Sequence, residues 1–246
     1  MIRLNKFISD AGIASRREAD KLIKMGAVKV NGERATLGMM VDDTMVIKVK
    51  GNQVGGPVPK IVLAFNKPVG IVCTENSRDR NNIIRYINYP KRITYAGRLD
   101  KESEGLMLMT NDGDLIHYMM QGANGHEKEY RVTLDKKITE EFLENMRKGV
   151  HIKDEEKNLD AVTRKTEITK VGTYTFDVIL TQGLNRQIRR MCEALGYQVR
   201  RLKRTRIMNI SLGDLPVGKT RELNVEELEE LYGQKGENAG ISYPFK

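Results

Sequence analysis

Cysteine is scarce in this chain: among 246 residues only Cys73 and Cys192 occur, and they form no CxxC pair. That argues against a disulfide framework and against a cysteine zinc site. His117, His126 and His151 stand alone, without the spacing of metal ligands. A G-x-G-x-x-G fingerprint is absent, so nothing points to a dinucleotide, and no cofactor or metal is expected. No apolar run approaches the roughly 18 residues of a membrane span, and MIRLNKFISD holds no hydrophobic signal core. The cytoplasm is the default compartment, and no membrane partner is expected.

Acidic residues are the other shortage: 33 Asp and Glu stand against 42 Lys and Arg, a formal charge of +9. A surplus of this size suits a polyanionic partner, because phosphates reward clustered Lys and Arg through counterion release. Net charge alone leaves a merely basic soluble protein equally open, so the distribution must decide. Apolar residues at 39% and charged ones at 30% are ordinary for a folded protein. The length fits one large domain, or a medium domain with a small companion.

The front of the chain reads as such a companion. Leu4, Phe7, Ile8 and Ala11 fall at helical spacing, and Gly12 breaks the pattern. Ser15-Arg16-Arg17-Glu18 reads as a capping box opening a second helix, with Ala19, Leu22 and Ile23 on its apolar side. At about 100° per residue, Arg17, Lys21 and Lys24 cluster on a different side. Gly26 is a plausible stop. Val28 to Val30 then alternates into an Asn31-Gly32 turn, and Val46 to Val49 looks like a closing strand. Two short helices and a small β part thus occupy residues 1–50. Arg17, Lys21, Lys24, Lys29 and Arg34 form a candidate RNA-backbone grip, with Arg3, Lys6 and Arg16 as further cations of the same module. The plainer alternative is a solvated basic face.

Residues 51–60 read as a linker, since Lys50 to Pro59 holds three Gly and two Pro with little apolar content. Beyond it, residues 61–232 mix strand candidates (Ile61 to Phe65, Ile93 to Ala96, Leu106 to Met109, Glu129 to Leu134, Tyr174 to Leu180) with helix candidates (Leu115 to Met120, Thr139 to Lys148, Asn185 to Leu195). Without strict βα alternation, the expected class is α+β with a mainly antiparallel mixed sheet flanked by helices. Residues 233–246 read as a tail.

Two segments carry candidate chemistry. Tyr95 to Leu106 runs from a strand end through the polar loop Gly97-Arg98-Leu99-Asp100-Lys101-Glu102-Ser103 into another strand. A carboxylate there can be fixed by the sheet while facing a cleft. Spacing alone does not single out Asp100. The second segment, Gln182 to Cys192, places Asn185 as a helix N-cap, buries Ile188, Met191, Cys192 and Leu195, turns Arg186 and Arg190 away, and leaves Arg189 at the border between faces. A border arginine that is partly buried wants a carboxylate. From Gly183 to Arg206 there are eight Arg or Lys and one acid, Glu193, which reads as a phosphate-binding wall.

RLNKFISDAGIASRREADKLIKMGAVKVNG resembles the S4 domain, a ribosomal-protein-like RNA-binding module. AGRLDKESEGLMLMTNDGDL is similar to the catalytic motif of the RsuA/RluB/RluE/RluF family of pseudouridine synthases, and GLNRQIRRMCEALGYQV to that family's later arginine motif. NKPVGIV, HEKEYRV and RLKRTRIMNISLGDLPVG match its pattern in the same order. The resemblance covers about residues 1 to 232, and HEKEY with GLNRQIRRMCE is similar to the branch of large-subunit synthases of the F type. It implies Asp100 as the essential carboxylate, Arg189 as the partner that holds it ionised and aimed, and Tyr130 packed against the target base or ribose. It also implies RNA contacts from Arg98 and Lys101, and ribosomal RNA of the large subunit as substrate, with transfer RNA a second candidate. Arg186 and Arg190 join the expected RNA contacts from the basic stretch, and a monomer is expected because nothing calls for a dimer. The rival classes are a non-catalytic S4-type RNA-binding or ribosome-assembly factor and a glycosidase, which needs two facing carboxylates where one is evident.

Overall fold

The computed structural model describes residues 1–121 and 125–234; the residues from 235 onward in the expected tail lie outside it. The amino-terminal module opens with β1 (Ile2–Arg3), α1 (Leu4–Asp10) and α2 (Arg16–Lys24). It continues with β2 (Val28–Val30), β3 (Glu33–Arg34), β4 (Met40–Val41), β5 (Ile47–Val49) and β6 (Asn52–Gln53). The capping box forms as expected: the Ser15 hydroxyl accepts from the Glu18 amide, and the Glu18 carboxylate accepts from the Ser15 amide. Asn31 and Gly32 both take positive φ, +50° and +90°, the conformation of a tight hairpin turn between β2 and β3. Leu4, Ile8, Ala19, Ile23, Val28, Val41 and Ile47 make the module's own core.

The stretch read as a linker begins with structure. β6 pairs with β5 at the edge of the small sheet, and Val54 is buried in the module's core. An edge strand tolerates this Gly-rich composition because only one side must be bonded. The module is then tied to the rest of the chain. Lys6 reaches both Asp10 and Asp114 at 2.8 Å, Arg16 reaches Asp114 at 3.2 Å, and the Val58 amide donates to the Asp10 carbonyl.

The larger part contains β7 (Val62–Lys67), α3 (Ile83–Ile87), β8 (Thr94–Ala96), β9 (Glu104–Thr110), α4 (Gly113–Met120), β10 (Lys128–Leu134) and α5 (Glu140–Lys148). It ends with β11 (His151–Asp154), β12 (Leu159–Val162), β13 (Glu167–Lys170), β14 (Thr175–Leu180), α6 (Gln187–Ala194), β15 (Val199–Ile207), β16 (Ile210–Ser211), β17 (Thr220–Glu222) and α7 (Val225–Gly233). Among the described residues the main sheet runs β13-β14-β10-β15-β9-β7-β17, with β16 on β15 and β8 on β9. Every pairing is antiparallel except β15 with β9, so the expected mixed, mainly antiparallel α+β class is what forms.

β7 and β9 are buried along their whole length. Their alternate residues enter two cores: Leu63, Phe65, Met107 and Met109 one, Val62, Ala64, Leu106 and Leu108 the other. Burial on both faces is why these strands read as unbroken apolar runs rather than alternating ones. β9 has β7 along one edge; its other edge takes β15 at Glu104–Gly105 and β8 at Leu108–Thr110. Gly105 sits at φ +103°, and a Cβ there would strike the Arg204 backbone, so β15 can pass this close only over glycine.

Candidate active site

The loop from Gly97 to Ser103 joins β8 to β9, and its backbone is pinned from several directions. Leu99 is buried, and its amide faces the Cys73 sulfur at 3.5 Å. The Ser103 amide donates to the Asp100 carbonyl at 3.1 Å, and the Gly70 amide donates to the Lys101 carbonyl at 2.8 Å. Lys67 lies fully buried beneath, its Nζ donating to the carbonyls of Pro68 (3.0 Å) and Ser103 (2.7 Å). Burial pushes the Lys67 ammonium below its usual range, while the negative charges of Asp100 and Glu102 oppose that shift. The loop is thus held by its main chain, and the Asp100 side chain is left half-exposed toward a cleft.

That cleft has a volume of about 530 Å³, within the size range of small-molecule sites. Among the described residues Asp100 is the only carboxylate lining it, together with five basic side chains: Arg98, Lys101, Lys128, Arg186 and Arg204. Tyr130 lines it too. Its ring packs against two of the cores, and a bulge in β15 at Thr205, opposite the Glu129–Tyr130 step of β10, shifts the register so that Tyr130 pairs with Arg204. Bulges beside clefts commonly re-aim a side chain.

The expected partnership of Arg189 with Asp100 is not the one formed. Arg189 donates to the carbonyls of Glu102 (3.3 Å) and Val199 (3.2 Å) and to the Ser103 hydroxyl (3.2 Å), and its Nε stands 3.9 Å from the Glu102 carboxylate. Burial pushes this guanidinium below its usual range, with Glu102 opposing. It supports the loop from behind and does not line the cleft. Arg186 stands beside Asp100 instead, 3.7 Å away, while bonding Glu102 directly. Burial raises the Glu102 carboxyl, but the hydrogen bond from Arg186 and the two guanidinium charges outweigh it, and the net direction is down.

The reason lies in where α6 starts. Asn185, read as its cap, is not one. The helix begins at Gln187, and Arg186 occupies the cap position at φ +52°, with no side-chain cap. A left-handed conformation costs a non-glycine residue about 1 kcal/mol. Buried Gln187 fixes the preceding turn by accepting from the Leu184 amide, and the Asn185 side chain accepts from Arg190. This geometry swings Arg186 over the loop.

Other expected RNA contacts divide sharply. Arg98 and Lys101 line the cleft. Arg3, Arg17, Lys21, Lys24, Lys29 and Arg34 are exposed on the amino-terminal module, although Arg34 also donates to the Lys24 carbonyl. Lys6 and Arg16 are engaged by Asp114, and Arg190 by Asp154, so these three face protein. Lys128 is not among the cations that the sequence singles out, and Arg204 enters there only as one of the eight bases from Gly183 to Arg206. Lys128 was accessible to period-two reasoning, two residues before Tyr130 on the same strand face. GDLPVGKT at 213–220 carries the residue spacing of a phosphate-binding loop but runs from β16 into β17 rather than into a helix. The amides of Gly218 and Lys219 donate to Asn66 and Pro216 carbonyls, so they are not free to cradle an anion.

Comparison with known proteins agrees with this architecture. Residues 61–194 match the family model described as RNA pseudouridylate synthase, and residues 2–47 match the S4 domain. The chain is 48% identical over 233 residues to the dual-specificity RNA pseudouridine synthase RluF of Escherichia coli K12, covering 94% of this chain and 78% of that protein. It is 35% identical over 245 residues to the ribosomal large subunit pseudouridine synthase B of Bacillus subtilis, covering 97% of this chain and all of that one. A crystal structure of a pseudouridylate synthase superposes with a TM-score of 0.68 at 29% identity, over 94% of this chain and 100% of the other. A folded S4 module, a mixed sheet and a cleft built on the Gly97–Ser103 loop therefore belong together: this chain is a member of the RNA pseudouridine synthase family.

Proposed function

We propose that the chain isomerises uridine to pseudouridine in ribosomal RNA of the large subunit, with Asp100 as the catalytic carboxylate. The observation that carries the assignment is that Asp100 is the one carboxylate among the described residues lining a cleft otherwise rich in cations. The reaction breaks N1–C1′, turns the base, joins C5 to C1′ and moves a proton from C5 to N1. Atoms and electrons balance within the nucleoside, so the chemistry asks for a positioned carboxylate and exclusion of competing reactions. A single carboxylate suits it, whereas hydrolysis of a glycosidic bond normally uses two. An RNA substrate is supported by the names of both relatives, and its being ribosomal RNA of the large subunit by the name of the Bacillus subtilis one.

In this reading the target uridine leaves its stack, at a cost of about a few kcal/mol, and enters the cleft. Tyr130 offers its ring to the base or ribose, which offsets about 1–3 kcal/mol if it stacks. Arg98, Lys101 and Lys128 neutralise nearby phosphates, and Arg189 keeps the loop in place from behind. The exposed cations of the S4 module add backbone grip that is blind to sequence.

Asp100→Asn is the test. Pseudouridine formation on a ribosomal RNA fragment is expected to vanish while RNA affinity stays within about several-fold, because phosphate contacts lie elsewhere. Near-normal turnover would mean that Asp100 is misassigned. Pseudouridine mapping of ribosomal RNA from cells with and without the gene tests the substrate: an unchanged map overturns it.

A further inference from the structure

One wall of the cleft carries a cluster of four charged groups: Asp100 and Glu102 from the catalytic loop, Arg186 and Arg189 from the start of α6. Asp100 and Arg186 line the cleft; Glu102 and Arg189 do not. Arg186 bonds the Glu102 carboxylate directly and stays 3.7 Å from Asp100 Oδ2, beyond hydrogen-bond range. Among the described residues no side chain hydrogen-bonds the Asp100 carboxylate. Arg189 fixes the main chain of Glu102 by donating to its carbonyl at 3.3 Å. Arg186 also sits at a left-handed backbone position without a cap, a costly arrangement that persists only where surrounding contacts hold it.

We propose that Glu102 is a positioning residue for the reaction: it holds the Arg186 guanidinium one step back from Asp100, so that Asp100 is compensated in charge yet keeps both oxygens free to react. The inference rests on the assignment of Asp100 made above. Two acids and two bases make the cluster neutral. Without the Glu102 carboxylate, two guanidinium groups face one acid, and Arg186 has Asp100 as its nearest remaining carboxylate. It closes that gap and caps an oxygen with a charge-assisted hydrogen bond. A bond that stabilises the resting carboxylate and must break as it reacts raises the barrier. RNA binding does not suffer, because the cleft has become more positive.

The test measures single-turnover pseudouridine formation and RNA affinity separately. Glu102→Gln, which keeps shape and loses charge, is expected to slow the chemical step by about tenfold or more with Kd unchanged or tighter. Glu102→Asp restores a carboxylate on a shorter stem and recovers part of the rate. In an Arg186→Gln background, followed long enough to resolve slow turnover, Glu102→Gln has no further effect, because no guanidinium is left to restrain. A wild-type rate for Glu102→Gln overturns the proposal. So does an equal loss in both backgrounds, or a loss of affinity that parallels the loss of rate. If Asp100→Asn remains active, the catalytic assignment itself fails; if Asp100→Asn is dead and Glu102→Gln is normal, only the role of Glu102 fails.

Discussion

The cations of α2 and those of the α6–β15 stretch face different things. On α2, Arg17, Lys21 and Lys24 are exposed along one side, and none of them makes a salt bridge among the described residues; Lys29 on β2 is in the same position. Around α6 and β15, five arginines are paired: Arg186 and Arg189 with Glu102, Arg190 with Asp154, Arg201 with Glu104, and Arg206 with Glu127 and Glu129. The acids come from the Gly97–Ser103 loop, β9, β10, β11 and the segment before β10, all distant in sequence. A stretch with eight bases and one acid is therefore largely neutralised by the fold: Arg204 is buried, its Nε donating to the Leu106 carbonyl, and exposed Arg200 and half-buried Lys203 are the bases left without an ion pair among the described residues. Local charge surplus and available charge are different quantities.

The largest expected difference between these regions is in RNA binding. Replacing Arg17, Lys21 and Lys24 together with alanine should weaken RNA affinity by about tenfold or more and flatten the slope of log K against log salt by about two to three. The loss of Arg190, Arg201 and Arg206, the same number of cations, should leave the affinity within about threefold and the slope nearly unchanged, because those charges already have partners. Equal slopes for the two sets, measured by salt titration, would break the distinction.

A second measurement reverses the order. Arg190 and Asp154 form a direct pair with side chains only 18% and 14% exposed, and it joins α6 to β11. Asp154→Ala should destabilise the fold by about 1–3 kcal/mol, since a partly buried guanidinium loses its charged acceptor. Lys24→Ala on α2 should move stability by no more than about 0.5 kcal/mol. Denaturant midpoints of the two variants check this, with RNA affinity unchanged in Asp154→Ala. A midpoint for Asp154→Ala equal to wild type would mean the pair is held by nothing more than proximity.

How much of this was legible in the sequence follows from range. The capping box at Ser15, the Asn31-Gly32 turn and the buried strands around Leu63 and Met107 depend on neighbours within a few residues, and they form as expected. Two helices were not anticipated. α3 spans five residues, too few to show a period. α7 did leave a signal, since Asn224 and Glu227 make a second capping box ahead of Leu228, Leu231 and Tyr232. β13 and the β11–β12 hairpin are short and largely polar, with too few buried positions for alternation to show. In the cleft, Asp100 and Tyr130 stand out in the sequence only through a motif. The partner of Asp100 was not, because Arg186 and Glu102 meet across 84 residues and the first turn of α6 decides which arginine arrives.

The smallest expected effect concerns how the two helices begin. α2 starts with a reciprocal cap, and Ser15→Ala should cost about 1 kcal/mol, as losses of such caps do. α6 starts with Arg186 in a left-handed conformation and no capping side chain, and Asn185, the residue whose type suggests a cap, accepts a bond from Arg190 at its surface. Asn185→Ala should therefore change stability by no more than about 0.5 kcal/mol, the range of an ordinary surface substitution. The asymmetry has a physical meaning that unfolding curves of the two variants can test. A helix start optimised for capping would leave its N-terminal amides satisfied by its own side chain, whereas the start of α6 is shaped to deliver a guanidinium to the loop carrying Asp100. A cost for Asn185→Ala as large as that for Ser15→Ala would show that Asn185 caps α6 in solution. Arg186 would then leave its left-handed position, and the arrangement that brings it to Asp100 would be lost with it.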